Sequence, residues 1–190
     1  MGLHQIIFWY FAFYTVPPSI WGVALPFTLC AAWLDGRTRR IPNWLTVSGV
    51  VAGLALNSIV GGRYGAVRSL EGAGLALGLI LPLVLLRGMG AGDWKLMGAV
   101  GAIMGRQPLV FVLLVSILTS GVMAACQMIV TRRVKRTMWN VLRLAVGLAT
   151  FGARLDPAIS LDNPTLLKVP FGVATGAAMV LTFALTHWRQ

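Results

Sequence analysis

Five carboxylates serve the whole chain: Asp35, Glu71, Asp93, Asp156 and Asp162. Two of them have settings that ask for a chemical reason. Asp93 follows the alternating glycines Gly88, Gly90 and Gly92 in RGMGAGDWKLMG (87–98) and stands two residues before Lys95. Asp35 opens DGRTRRIPN (35–43), directly after a run, residues 1–34, that holds no Lys, Arg, Asp or Glu. Two carboxylates brought face to face repel when both are ionised, so the stable arrangement near neutral pH is one proton shared between them. The ionised member can take a proton from water as that water attacks a peptide carbonyl. The protonated member can donate to the developing oxyanion or amine. That is the chemistry of an aspartic protease. The plainer reading pairs each acid with nearby Arg and Lys, and spacing alone leaves both open. Glu71 falls at the start of an apolar segment on the opposite side. Asp156 and Asp162 lie near prolines, where turn or cap roles suffice.

The glycines before Asp93 leave a bare backbone able to adopt unusual dihedrals. Such a strand can admit a substrate backbone beside it by strand addition. Asp93 stands where a helix begins, a position that favours an anion, whereas Asp35 ends a helix, which disfavours one. On helix ends alone, Asp35 is expected to hold the shared proton more often.

The elements that must position these residues are set by an apolar composition. Of 190 residues, 57% are hydrophobic and 11% charged, with a mean hydropathy of +0.80. A soluble domain carries about 25% charged residues, so the bilayer is the expected solvent. The fold class is all-α: one polytopic integral-membrane domain over 1–190, with about six transmembrane helices. The segments are expected near 14–34, 44–60, 70–86, 94–105, 108–130 and 170–187. The fourth covers only about 18 Å at 1.5 Å per residue, so it should begin inside the protein or fail to cross alone. The aromatic run IIFWYFAFY (6–14) either extends the first helix across Pro17 and Pro18 or lies as an interfacial collar. A basic n-region is missing, so no cleavable signal peptide is expected. Glycines four apart (Gly49/Gly53, Gly74/Gly78, Gly101/Gly105 and Gly172/Gly176) suggest close helix approach in lipid.

The net charge of +11 does not imply a nucleic-acid partner, because the basic residues sit between apolar runs. With 35–43, 87–93 and 131–169 on one side, and Lys95 counted with them, that side holds twelve of the sixteen Lys and Arg. It is therefore the cytoplasmic side. The loop 131–169 holds RRVKR (132–136) and an apolar stretch, VLRLAVGLATF (141–151). This stretch is expected as an amphipathic helix on the inner leaflet, with a re-entrant or membrane helix as the alternative. The basic loops suit anionic membrane lipids as partners. Cys30 and Cys126 read as packing residues. His4 and His187 lie on the outer side, no metal-ligand cluster is visible, and neither metal nor cofactor is expected.

These motifs resemble a known family. GAGDWKL (90–96) is similar to the GxGDxK motif of type IV prepilin peptidases and of archaeal preflagellin peptidases. DGRTRRIPN resembles their first-aspartate motif, an Asp followed by Ile-Pro-Asn, and VPFG (169–172) is similar to the Pro-Tyr-Gly-like start of their last helix. The resemblance implies that Asp35 and Asp93 are the catalytic pair. It implies that Gly90 and Gly92 shape the second site, that Lys95 lies near it, and that Pro170 and Gly172 belong to its surroundings. Pro42 and Asn43 set the turn into the second helix, or simply begin it with a capping asparagine. The implied reaction removes a prepilin leader by cutting after a glycine at the cytoplasmic face of the bacterial inner membrane. The chain has no CxxC pair, so it resembles the short, peptidase-only form serving Flp/Tad-type pili, without methyltransferase activity. The alternatives are a small transporter or channel, or an intramembrane protease with other substrates. The oligomeric state is left open.

Overall fold

Residues 16–85, 89–130, 139 and 170–187 are described by a computed structural model. Its regular structure is helical. Helix α1, Pro18–Thr38, starts behind Pro17 with a proline in its first turn, where a missing N–H costs nothing. It ends at Arg39, which turns left-handed (φ 51°, ψ 31°) and returns its N–H to the Asp35 carbonyl at 2.8 Å. Helix α2, Asn43–Leu85, is broken at Gly62 (φ 56°, ψ −140°) into arms 43–61 and 63–85. Helix α3 is Ala91–Met104 and α4 is Arg106–Val130, separated by Gly105 at φ 77°. Helix α5 is Phe171–His187.

Counted by arms, these are six apolar helical stretches among the described residues, and two boundaries differ from expectation. α1 continues past residue 34 to Thr38, so Asp35 lies in its last turn rather than beyond it. No loop separates the second and third stretches, because a single positive-φ glycine breaks the helix where a loop over 61–69 was expected. The expectations for residues 6–14, for Arg87 and Gly88, and for the 131–169 loop with its surface helix fall outside the described residues.

α1, α2 and α4 are long and apolar enough to cross a membrane. Large apolar side chains such as Ile59, Leu70, Leu118 and Val130 point outward, as lipid contact requires. This is a membrane protein, and its core is α3. Every residue from Leu96 to Met104 is buried. The first arm of α2 runs parallel to α3: Gly49 lies over Ala99, and Gly53 over the backbone of Ala102 and Ile103. The second arm returns antiparallel, with Ser69 reaching Ala102 and Leu77 lying against Gly98. α2 thus clasps α3 from both sides. The buried stripe that does this is Gly49, Gly53 and Asn57 on one arm and Gly65, Ser69, Gly72 and Ala76 on the other.

A helix that ends inside such a bundle must find donors for its last carbonyls, since hydrocarbon supplies none. α3 finds them all. The Gly101 carbonyl accepts the Gly105 N–H at 2.8 Å. The Ala102 carbonyl accepts Ser69 Oγ at 2.7 Å and Asn57 Nδ2 at 3.1 Å. Asn57 Nδ2 also donates to Ile103 at 2.9 Å, and Arg68 Nη2 donates to Met104 at 3.3 Å. The short fourth segment therefore ends within the protein because the α2 clasp caps it.

Of the glycine pairs singled out in the sequence, Gly49/Gly53, Gly101/Gly105 and Gly172/Gly176 stand at close contacts, while Gly74 and Gly78 face open space. Cys30 and Cys126 are free thiols.

Candidate active site

α1 carries Asp35 to the end of the bundle where α3 and α5 begin. Its side chain is only 6% exposed despite lying in a terminal turn. The cause is α5, whose first turn abuts it. The Gly172 N–H donates to Asp35 Oδ2 at 2.7 Å, and the Val173 amide also bonds the carboxylate. These are amides that a starting helix leaves without internal partners, and they favour an anion. Pro170 enters the helix ahead of them and accepts the Ala174 N–H at 3.3 Å. The approach requires glycine at 172: a Cβ there would lie 2.8 Å from Asp35 Cβ and 2.9 Å from Oδ2. The positive charge of Arg39 also acts on Asp35.

α3 carries Asp93 in its first turn. Gly90 is the N-cap residue, extended at φ −70° and ψ 142°, and its carbonyl accepts the Trp94 N–H at 3.2 Å. Asp93, three residues on, turns its carboxylate back to the Gly90 N–H, as the acid of a capping box does. A Cβ on Gly90 would sit 3.1 Å from Asp93 Oδ2. Three neighbouring contacts fix this turn. Gly92 packs on Ile41, where its Cβ would lie at 3.5 Å from that of the isoleucine. Trp94 Nε1 donates to the Leu77 carbonyl at 2.8 Å, and Lys95 Nζ donates to Asn43 Oδ1 at 3.0 Å. The Ile-Pro-Asn turn after α1 is thereby tied to the first turn of α3. The side chain of Asn43 is engaged by Lys95, while the Pro42 carbonyl receives the first amides of α2, from Leu45 at 3.2 Å and Thr46 at 3.4 Å.

The two acids, far apart in sequence, come near enough for the charge of one to act on the other. Asp93 is pushed up from 3.8 to about 7, first by burial and then by the Asp35 carboxylate, against the Gly90 N–H, which favours the ionised form. Near neutral pH the pair can hold one proton. Helix ends alone put that proton on Asp35. The fold brings a second helix end, that of α5, to Asp35, and its amides favour the charged carboxylate there.

All seven residues singled out in the sequence, Asp35, Gly90, Gly92, Asp93, Lys95, Pro170 and Gly172, gather at this end of the bundle. Sequence reasoning missed Leu77 and the amide of Val173, which act through backbone and leave no residue-type signal, and it quoted Ile41 only as part of Ile-Pro-Asn, not as the packing partner of Gly92. His187 lies at the other end of α5, about 22 Å from Gly172 at 1.5 Å per residue. It packs on Phe183, with ring centroids 4.1 Å apart. Among the described residues no group of His, Cys, Asp and Glu is placed to hold a metal ion.

Residues 22–125 match the type IV leader peptidase family. The match covers more than half of the chain and takes in both Asp35 and Asp93, but not α5. Neither curated proteins nor solved structures give a match.

Proposed function

The chain belongs to the type IV leader peptidase family, and on that premise we propose that it is an aspartic endopeptidase with Asp35 and Asp93 as its catalytic pair. Its substrate is a prepilin, cut once, after a glycine, at the cytoplasmic face of the bacterial inner membrane. The observation that carries this reading is the meeting of both acids at one end of the bundle, Asp35 held by the Gly172 amide at 2.7 Å and Asp93 in the first turn of α3 within reach of its charge.

The step follows from one proton on the pair. The ionised carboxylate takes a proton from a water molecule while the water oxygen bonds to the peptide carbonyl carbon. The carbonyl π electrons move onto oxygen, which is met by the proton of the second carboxyl. Collapse of this intermediate breaks the C–N bond, and the leaving nitrogen takes a proton from the pair. The glycine before the cut suits the bare backbone of Gly90 and Gly92. The cytoplasmic face is supported by Arg37, Arg39, Arg40 and Lys95 at the same end of the bundle. The lack of a CxxC pair supports a peptidase without methyltransferase activity.

The test is cleavage of a panel of leader peptides by the purified protein, with mass spectrometry locating the cut. Cleavage after the leader glycine is expected. Cutting elsewhere, or only within unrelated membrane helices, would favour the intramembrane protease reading.

The pH profile has a defined sign. Asp93 loses its proton as pH rises through about 7, leaving two anions and no acid. kcat/KM should therefore fall above about pH 7, by about tenfold per unit once well past it. A rate that keeps climbing well above neutrality would count against Asp93 as the acid.

Lys95 acts at one remove. Its bond to Asn43 is exposed, so Lys95→Ala should lower kcat/KM by less than about tenfold, the worth of one hydrogen bond. Asn43→Ala should match it, and the double variant should lose no more than either alone.

A further inference from the structure

Gly172 has a role that the peptidase chemistry does not by itself assign. It lies in α5, beyond the matched residues 22–125. Yet its N–H makes the 2.7 Å bond to the Asp35 carboxylate, and the missing side chain is what lets the helix come so close.

We propose that Gly172 is a positioning residue that divides the labour of the two aspartates, its amide holding Asp35 as the charged member that takes the proton from water. The inference rests on the aspartic-peptidase reading above. At the C-terminal end of α1 Asp35 is buried by α5, and both that desolvation and the helix dipole oppose a negative charge there. Three groups oppose those effects: the Gly172 amide, the Val173 amide and the Arg39 guanidinium. From α3 the facing titratable group is Asp93, and from the described part of α5 only backbone amides face it. The bond to Oδ2 also limits rotation of the carboxylate, so that it is not free to swing away from Asp93.

Glycine is required at this position because a side chain would collide with the carboxylate that the amide holds. A Cβ at residue 172 would meet Asp35 Cγ at 3.1 Å as well as Cβ and Oδ2. Relief would come by pushing α5 away, which lengthens the amide bond, or by turning the carboxylate, which breaks it. Gly176, one turn on, supplies the control. A Cβ there would lie 2.7 Å from Ala32 Cβ, so Gly176→Ala presses on the same α1–α5 contact without touching Asp35.

The experiment compares Gly172→Ala and Gly176→Ala in the full-length protein in detergent, with thermal unfolding, kcat, KM and the pH profile as readouts. Gly172→Ala is expected to lower kcat by about tenfold to a hundredfold with little change in KM, and to move the acid limb of the profile upward as Asp35 loses its donor. Gly176→Ala is expected to lower the melting temperature while leaving the limb in place. A wild-type kcat and profile for Gly172→Ala, or the same limb shift in both variants, would overturn the proposal. Infrared spectra of the wild-type protein near neutral pH, with each aspartate isotopically labelled, give a readout that needs no variant to fold. An ionised band on Asp35 and an acid band on Asp93 are expected, and the reverse overturns the assignment. Cleavage retained by Asp35→Asn would sink the peptidase reading itself. Loss of cleavage there, with Gly172→Ala unaffected, would sink only the inference drawn here.

Discussion

Replacing either Asp35 or Asp93 by asparagine should abolish prepilin processing, by about a thousandfold or more, while the protein stays folded in the membrane. The size follows from losing general acid–base catalysis at a dyad whose members cannot substitute for each other. The retained fold follows from geometry. Asparagine at 35 keeps an oxygen that can accept the Gly172 N–H, now bonded at 2.7 Å, and it fills the same volume beside α5. Asparagine at 93 can still accept the Gly90 N–H and close the first turn of α3. Neither amide takes up or releases a proton near neutral pH, so the water is not activated in one variant and no acid is available in the other. Asp93→Asn also removes an acid that, on folding near neutral pH, must either take up a proton or bear a buried charge, so its thermal stability should equal or exceed that of the wild type. Co-expression with a prepilin, an immunoblot for the mature form and a detergent melting curve check all of this together. Processing that persists in either variant would remove the two-aspartate mechanism.

The second large effect is on the fold. Gly53→Val or Gly101→Val should destabilise the protein by about 3 kcal/mol or more, at the upper end of what overpacking costs. A Cβ at 53 would lie 2.6 Å from the carbonyl carbon of Ala102 and from the nitrogen of Ile103. A Cβ at 101 would lie 2.6 Å from the carbonyl carbon of Gly72 and 3.1 Å from the nitrogen of Ala73. These neighbours are backbone, so no side chain can rotate away and the helices themselves must part. Parting them also stretches the bonds from Asn57 and Ser69 that cap α3, which leaves carbonyls exposed to hydrocarbon. Gly74→Ala is the matched control. Its Cβ meets nothing within 4 Å, so it should be neutral or, through helix propensity, slightly stabilising. Thermal unfolding in detergent ranks the three. A Gly101→Val protein that melts with the wild type would mean that α3 is not held between the arms of α2.

The glycine pairs show where sequence reading stops. All four have the spacing that allows close approach, but Gly74/Gly78 turn outward and Gly72 meets Gly101 instead. Periodicity says that a helix has a small face. It does not say which neighbour will come to that face. The missing loop at 61–69 has a similar origin. GGRYG carries turn-forming residues, yet one glycine at positive φ was enough to reverse the chain, and Gly61, Arg63 and Tyr64 stay helical although they are exposed. The short segment at 94–105 was marked as unusual by length alone, but it was expected to begin inside the protein, whereas its buried part is its end. What ends it inside the protein is a set of side chains, Asn57, Arg68 and Ser69, from another helix.

By itself the sequence determined that this chain is a helical membrane protein, because its apolar content leaves too little polar surface for water. It also singled out the two aspartates, because an acid beside apolar runs needs a reason and the short motifs around Asp35 and Asp93 supply one. The division of roles proposed for them rests on the tertiary structure. Read along the chain, Asp35 ends a helix and should avoid charge. In space it receives the amide end of α5, a helix that begins 136 residues later with Phe171. A hydrogen bond from a backbone N–H carries no residue-type signature, and the electrostatics of a buried group are set by whatever the fold brings within a few ångströms of it.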